Sequence, residues 1–520
     1  MGSFFNFLIQ NRHELLIQLL EHIGLTFGAL VLAILIGIPL GIYAHHSQKM
    51  RNSVLGSVGI IQTIPSLALL GFLLPLFGIG PVPAIIALFL YALLPIVRNT
   101  FTGVHEIDAS VIDAARGMGM SDVQIMMRVR IPLAMPVIFA GIRTATVINV
   151  GVATLCALIG AGGLGEFIFR GIALNNVTMI LAGAFPAALL ALALDLILDL
   201  FQKNLKKWKN IIGWGMGATV GFVLIVFVAH MTQRPKFILG LTPEFTERTD
   251  GYHGLVQAYD LHVPTIEMNS ALLYQALKNK RVDAIVGYST DGRIKAFKLR
   301  VLDDDKNYFP PYYCAPLVRD QTLKKYPQLR TILNRLAGKL DNTTMQELNY
   351  QVDQLHKNPA DVARDFLKSK GFQTTIVRTG APDIVIGGKN FTEQFILDWM
   401  FKTLIENNSS LTVGLQTGLA GTKIVFDALN SGEIDLYPEY TGTGLYVILK
   451  ADSSQADSLL NDQEKVYNFV KKKTEKRYNL SWLQPLGFNN TYALMMRESQ
   501  ARSDHIRSIS DLQHFVKKNH

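Results

Sequence analysis

The sequence predicts a helical membrane bundle followed by an α/β domain of two lobes. Three observations carry that prediction. Of 520 residues only 18% are charged and 49% are hydrophobic, with a mean hydropathy of +0.23; a soluble protein would be nearer a quarter charged. The long apolar runs are confined to residues 20–235. Residues 236–520 instead alternate short apolar strands (237–241, 284–288, 384–387) with helically spaced segments (270–278, 422–430), and that stretch is long for one lobe and right for two. The composition excludes a disordered chain and a collagen-like fibre. Two cysteines, Cys156 and Cys314, exclude a disulfide scaffold or a cysteine-rich zinc module.

A bilayer core needs roughly 20 apolar residues in helix, and six stretches qualify, at about 23–44, 56–78, 82–98, 134–160, 177–200 and 212–231. An amphipathic leader, 6–22, precedes them; it lacks a basic n-region and is not read as a cleavable signal. Lys49 and Arg51 follow the first span, Arg98, Arg116, Arg128 and Arg130 the third, and Lys203, Lys206, Lys207 and Lys209 the fifth, whereas the opposite loops hold little besides Arg170. The positive-inside rule puts the basic loops in the cytoplasm, with the N-terminus and residues 236–520 outside. The net charge of +9 is explained by these loops, and no basic strip with interleaved aromatics suggests nucleic acid. Pro65, Pro75, Pro83, Pro95 and Pro186 interrupt the spans, so backbone groups freed there need partners from a packed bundle. The run Gly160-Ala161-Gly162-Gly163-Leu164-Gly165 reads equally as a gate segment or a tight turn.

The third loop reads Asp113-Ala114-Ala115-Arg116-Gly117-Met118-Gly119, then nine residues, then Val129-Arg130-Ile131-Pro132. It resembles the coupling-helix motif of ABC importer permeases, with Asp113 where glutamate is commoner. Small residues let a short helix sit close to a partner groove, Gly119 turns the chain, and Pro132 is expected to open the next span where a missing N–H costs nothing. The resemblance assigns Asp113, Ala114, Ala115, Gly119 and Pro132 to contact with a separate ATPase subunit. No Gly-x-x-x-x-Gly-Lys-Ser/Thr occurs; Gly387-Gly388-Lys389-Asn390 is the nearest fragment. The chain is therefore expected to be a transport subunit and not an enzyme, with ATP and magnesium on the partner, and no cofactor or metal of its own.

In the soluble half, Gly388-Lys389-Asn390-Phe391-Thr392-Glu393-Gln394, Tyr437-Pro438-Glu439-Tyr440-Thr441-Gly442-Thr443 and Gly487-Phe488-Asn489-Asn490-Thr491-Tyr492 resemble the glycine betaine/choline/carnitine binding proteins of osmoprotectant ABC importers. So do the strings at 244–252, 287–293, 304–312 and 417–422. The order differs from the family's: the second half comes first, at 237–371, and the first half follows, at 383–520. A circular permutation is the natural reading; a remnant of two tandem domains and an unusual gene are the rivals. On this reading one lobe holds 306–371 and 383–485, the other 237–305 and 486–520, with crossings near 304–311 and 485–488. The domains are accordingly 1–210 (five spans, coupling loop 99–132), 211–235 (sixth span and tether) and 236–520.

A quaternary ammonium group donates no conventional hydrogen bond, and aromatic faces suit its spread charge at about 0.5–2 kcal/mol per contact. The resemblance places cage tyrosines at Tyr288, Tyr312, Tyr440 and Tyr492, with Tyr313, Tyr308, Tyr437 and Tyr252 as neighbours that can replace one. For a ligand carboxylate, Arg248 offers a planar fork, with Lys389, Asn390 and Thr443 adding donors; the alternative for Arg248 is an ion pair with Glu247, Asp250 or Asp291. Asp303-Asp304-Asp305 reads as a solvated acidic run. The resemblance implies a homodimeric cell-membrane permease carrying its own extracellular receptor, an importer of glycine betaine, choline or carnitine. Two alternatives stand beside it: the same build importing an amino acid or a betaine-like thione such as ergothioneine, and a membrane-anchored ligand sensor.

Overall fold

The computed structural model describes residues 2–173, 176–203, 237–248, 250–419, 421–451 and 462–519, which divide into a membrane unit and a soluble unit. The expected span at 212–231 lies outside the described residues. In the membrane unit, helix α1 (Arg12–Ala44) absorbs most of the amphipathic leader into one long helix. α4 (Pro81–His105), a continuous run from Asp122 to Ile159 that contains α6 (Ile131–Cys156), and α7 (Val177–Lys203) are also long and apolar enough to cross a membrane.

The second expected span is not one straight helix. It is α2 (Gln48–Thr63) and α3 (Ser66–Phe77), bent by 98°. The cause is local: Pro65 disfavours helical backbone at the residue before it, and Ile64 is extended, with ψ 122°. The groups freed at the break find partners on α4. The Tyr91 hydroxyl donates to the Ile64 carbonyl, and Gln62 Nε2 donates to the Tyr91 carbonyl at 3.0 Å. The bent pair still makes one traverse. His45 and His105 meet with ring centroids 5.5 Å apart, Arg51 lies 5.0 Å over the Phe101 ring, and Arg130 Nη1 donates to the Val104 carbonyl at 2.8 Å. The first and third basic loops thus share one end of the bundle. At the other end the Gly80 N–H donates to the Ile159 carbonyl at 2.9 Å. Tight helix contacts use glycine: a methyl on Gly41 would meet Thr100 at 2.6 Å, and one on Gly141 would meet the Pro95 carbonyl at 2.8 Å. Arg143, inside α6, is held by Asp195 at 2.9 Å and Asp199 at 2.6 Å on α7, the pairing a charge within a bundle requires.

Two boundaries differ from expectation. α4 extends to His105, so the loop begins later than residue 99. Pro132 does not open a helix: Asp122–Ile125, a π turn Met126–Arg130 and α6 run on continuously. The one-residue widening sits directly before the proline, where the regular hydrogen-bond ladder loses a donor.

The soluble unit holds two five-stranded sheets. The first has strand order β2-β1-β3-β10-β4, built from β1 (Leu239–Leu241), β2 (Thr265–Glu267), β3 (Ala284–Tyr288), β4 (Leu299–Val301) and β10 (Tyr492–Arg497). The second has order β7-β6-β8-β5-β9, built from β5 (Cys314–Arg319), β6 (Ile384–Lys389), β7 (Val413–Leu419), β8 (Leu436–Tyr440) and β9 (Leu480–Trp482). β1 runs parallel to β3, and β6 parallel to β7 and β8, while β10 and β5 are antiparallel to their neighbours. This is the lobe membership the segment reading required: β10, from the chain's last segment, lies between β3 and β4, and β5 lies between β8 and β9. The crossing strands pair with each other, the Asn490 N–H donating to the Tyr312 carbonyl at 3.0 Å. Phe237 and Phe515, near the two ends of this unit, stack edge to face at 6.3 Å. Helices α8 (Asn342–Asp353) and α9 (Thr392–Asn408) belong to the second lobe. The connecting stretch 372–382 runs along the end of α9, with the Ile376 N–H on Asn407 Oδ1 at 3.0 Å and Arg378 Nη2 on the Ser409 carbonyl at 2.7 Å.

Candidate ligand cleft and coupling loop

Tyr492 and Tyr288 are register partners on β10 and β3, so their side chains leave the same face of the sheet. Their rings stack at 5.1 Å. Tyr312, on the crossing before β5, meets Tyr492 edge to face at 5.7 Å, and Phe245 meets it at 4.9 Å. Tyr440, at the end of β8, joins this group through Phe391. The Phe391 ring is 6.3 Å from Tyr440 and 6.5 Å from Tyr288, the latter nearly parallel at 10°. The four expected tyrosines therefore come together from both lobes, with a fifth ring, Phe391, that the sequence reading passed over. The signal was present: Phe391 sits one residue before α9, in the motif that supplied Lys389 and Asn390. Neighbouring ring centroids in this group lie 4.9–6.5 Å apart.

Three of the four substitute tyrosines are committed elsewhere. Tyr437 is fully buried and donates to Glu439 at 2.8 Å, Tyr308 donates to the Gly251 carbonyl at 2.8 Å, and Tyr252 donates to the Val263 carbonyl at 3.1 Å.

The donors expected for a carboxylate stand differently. Arg248 is buried, and its fork is occupied: Nε and Nη2 donate to the two oxygens of Asp250 at 2.8 and 2.9 Å, and Nη2 also reaches the Tyr312 hydroxyl at 2.6 Å. Its carbon lies 5.5 Å from the Tyr492 ring and 5.8 Å from Tyr312. The brace with Asp250, the alternative reading, is what the geometry shows, and only the Nη1 edge, 3.5 Å from Glu244, faces away from it. Lys389 is likewise occupied. Its Nζ lies 2.6 Å from Glu439, the two side chains being 8% and 0% exposed. Asn390 is exposed and Thr443 is buried on the turn after Tyr440.

Beneath this site are two carboxyls that the sequence reading did not single out. Glu393 is treated below. Asp398, on α9, is fully buried, and among the described residues neither of its oxygens has a hydrogen-bond partner. It packs so closely on the Gly387–Gly388 backbone that a methyl on Gly388 would lie 1.9 Å from its Oδ2. Burial alone pushes its carboxyl well above the usual range. An acid whose pKa is raised on folding contributes its stability below the unfolded value, near 3.9, and loses it as pH climbs through the folded one, by up to about 1.4 kcal/mol per pH unit. Asp398→Asn is therefore expected to flatten the fall in melting temperature between pH 5 and pH 8; parallel wild-type and variant curves over that window would refute the assignment.

The coupling loop is a second site. Helix α5 (Ala109–Gly117) is capped by Asp108, whose carboxylate accepts from the Ser110 N–H at 2.8 Å. Ile112 and Ala115 pack on Ile125. Gly119 takes φ +78°, a conformation that favours glycine, and ends the helix turn. Asp113 and Ala114 are exposed. Met118 and Val123, at 75% and 73%, are also exposed.

Comparison with known proteins identifies both modules of the chain. Residues 228–369 and 382–519 match the substrate binding domain of ABC-type glycine betaine transport systems, and residues 33–211 match the binding-protein-dependent transport system inner membrane component. The carnitine transport permease protein of Listeria monocytogenes is 45% identical, covering 39% of this chain and 94% of that one. The ergothioneine transport permease/ergothioneine binding protein of Helicobacter pylori (strain G27) is 27% identical, covering 65% of this chain and 87% of that one. Among solved structures, an inward-facing methionine ABC transporter is 25% identical over 36% of this chain and 94% of its own, with a TM-score of 0.35. The chain belongs to the ABC-type glycine betaine transport family, carrying an inner-membrane permease component and a substrate-binding domain in one polypeptide.

Proposed function

We propose that this chain is the permease and receptor of an importer for trimethylammonium solutes, driven by a separate ATPase subunit. The observation that carries the reading is the convergence of Tyr288, Tyr312, Tyr492, Tyr440 and Phe391 from both lobes. Ring faces attract a methylated cation through their quadrupole, more so when dry, and opening of the lobes would part the rings to admit it. Arg248, braced by Asp250, brings its charge to the rim of this cluster, and a ligand carboxylate would take the place of Glu244 at its Nη1 edge. The exposed Met118 and Val123 beside Asp113 and Ala114 suit docking into a groove of the ATPase. A homodimer of this chain would supply both halves of the pore and two docking loops. The basic loops at one end of the bundle support a cytoplasmic placement of that end and an extracellular receptor. The strand insertion of β10 between β3 and β4, and the meeting of Phe237 with Phe515, support a circular permutation of the receptor.

A second reading, a betaine thione such as ergothioneine as cargo, is favoured by the relative of that name, which shares both modules with this chain. The test is calorimetric titration of the purified full chain with glycine betaine, choline, carnitine, ergothioneine and proline. Binding of at least one of glycine betaine, choline and carnitine, and none of proline, is expected. If none of the four methylated amines binds, the proposal fails; if only ergothioneine binds, the second reading holds.

A further inference from the structure

Glu393 occupies the second position of α9 and is 2% exposed. Its two oxygens accept from four donors drawn from every part of the soluble unit. Oε1 takes the Tyr440 hydroxyl at 2.6 Å and Asn490 Nδ2 at 2.9 Å; Oε2 takes the Thr290 hydroxyl at 2.7 Å and Asn349 Nδ2 at 3.2 Å. Tyr440 and Asn349 belong to Glu393's own lobe. Asn490 lies on a crossing strand. Thr290 belongs to the other lobe, two residues past β3 and Tyr288. Among the described residues no cation pairs with Glu393, so its charge is balanced by these four donors and by the N-terminal turn of α9. Burial pushes its carboxyl up, against the pull of those hydrogen bonds.

We propose that Glu393 is a positioning residue that couples the Tyr440 ring to closure of the two lobes. One carboxylate oxygen fixes the ring through its hydroxyl, and the other holds Thr290 across the cleft. Neither oxygen can move without disturbing the other, so a ligand that sets Tyr440 also sets the strength of the cross-lobe bond. The neighbouring contacts line up with this. Asn349 Nδ2 also donates to the Thr290 carbonyl at 2.9 Å, and Gln346 Nε2 donates to the Ser289 carbonyl at 2.7 Å. The segment 289–290 is thus one point where the far lobe is gripped, and among the described residues Glu393 is the grip there that also touches a ring of the site. The inference rests on Tyr440 being a ring of the ligand site, but not on the identity of the ligand.

The test uses the full chain in nanodiscs, with dyes on Asn279→Cys in one lobe and Lys357→Cys in the other. Both positions are exposed, and the native Cys156 and Cys314 are buried. Without ligand, Glu393→Gln, which turns an acceptor toward donors into a further donor, and Thr290→Val are each expected to shorten the closed-state dwell about tenfold. Tyr440→Phe is expected to change the dwell in the native background and not in the Glu393→Gln background. With glycine betaine as the probe, dissociation should quicken about tenfold in both closure variants, with association unchanged. Unaltered dwell times in Glu393→Gln, or effects of Tyr440→Phe and Thr290→Val that simply multiply, would overturn the coupling. The ligand-free measurements decide it even if glycine betaine does not bind, in which case only the cargo assignment falls.

Discussion

Lys389→Met is expected to destabilise the soluble unit by about 3–5 kcal/mol, the usual result of stranding one partner of a buried ion pair. Glu439 is fully buried, and besides Lys389 it accepts from the Tyr437 hydroxyl at 2.8 Å and the Tyr440 N–H at 2.7 Å. Two neutral donors do not replace a charge at 2.6 Å. For a unit of this size the loss corresponds to a fall in melting temperature on the order of 10 °C. The double variant Lys389→Met/Glu439→Gln removes both charges and is expected to recover much of the loss, because the stranded carboxylate, and not the missing attraction, is the source of the damage. The sequence reading gave Lys389 a different task, donation to a ligand carboxylate. The two separate cleanly. A direct ligand contact predicts weaker binding of glycine betaine than of choline in Lys389→Met, at nearly unchanged stability. The buried pair predicts a large loss of stability that does not distinguish the two ligands. A melting temperature within about 2 °C of the parent would sink the ion-pair account.

That contrast shows what kind of information the residues carried. Tyr288 and Tyr492 were named through the resemblance of their motifs to a family; that they share a face follows from a strand register that only folding supplies. The lobe membership of β10 and β5 was legible because the motifs named the halves of a known domain whatever their order. Pro65 announced a break, but a window of hydropathy has no direction in it, so the 98° bend between α2 and α3 could not be read from apolar content. Arg248 and Lys389 were named from their motifs as donors to a ligand carboxylate, with Asp250 among the alternatives for Arg248. Which anion each one meets depends on side chains brought in by folding: Asp250, two residues away, and Glu439, fifty residues away. Glu393 and Asp398 were invisible for the same reason. A glutamate and an aspartate on a helix read as solvent-facing until the strands of the second lobe and its crossing segment are laid over them. Phe391 was passed over because attention to the polar part of its motif hid an aromatic positioned to bridge Tyr288 and Tyr440.

The rings themselves give the second large effect. Tyr288→Leu/Tyr492→Leu is expected to weaken binding of a trimethylammonium probe, glycine betaine or choline, on the order of 100-fold. Each face contributes about 0.5–2 kcal/mol, and two of them span roughly 1–4 kcal/mol, with about 1.4 kcal/mol per tenfold change. Phenylalanine at the same two positions keeps the faces and is expected to hold affinity within about threefold. The other two tyrosines should not behave this way. The Tyr312 hydroxyl joins Arg248 to Asp250, and the Tyr440 hydroxyl lies on Glu393. Tyr312→Phe and Tyr440→Phe therefore leave buried polar groups short of a partner, a loss of about 1–3 kcal/mol in stability on top of any change in binding. The four tyrosines thus divide by chemistry: at 288 and 492 the side chains hydrogen-bond each other and the double phenylalanine variant removes both partners together, so the rings decide, while at 312 and 440 ring and hydroxyl both matter. Leucine truncation also opens space in a packed cluster, so the comparison is made at temperatures well below each variant's melting point. Leucine variants that remain folded and bind the probe as tightly as the parent would show that these rings serve packing, and the cation would have to be sought elsewhere on the receptor.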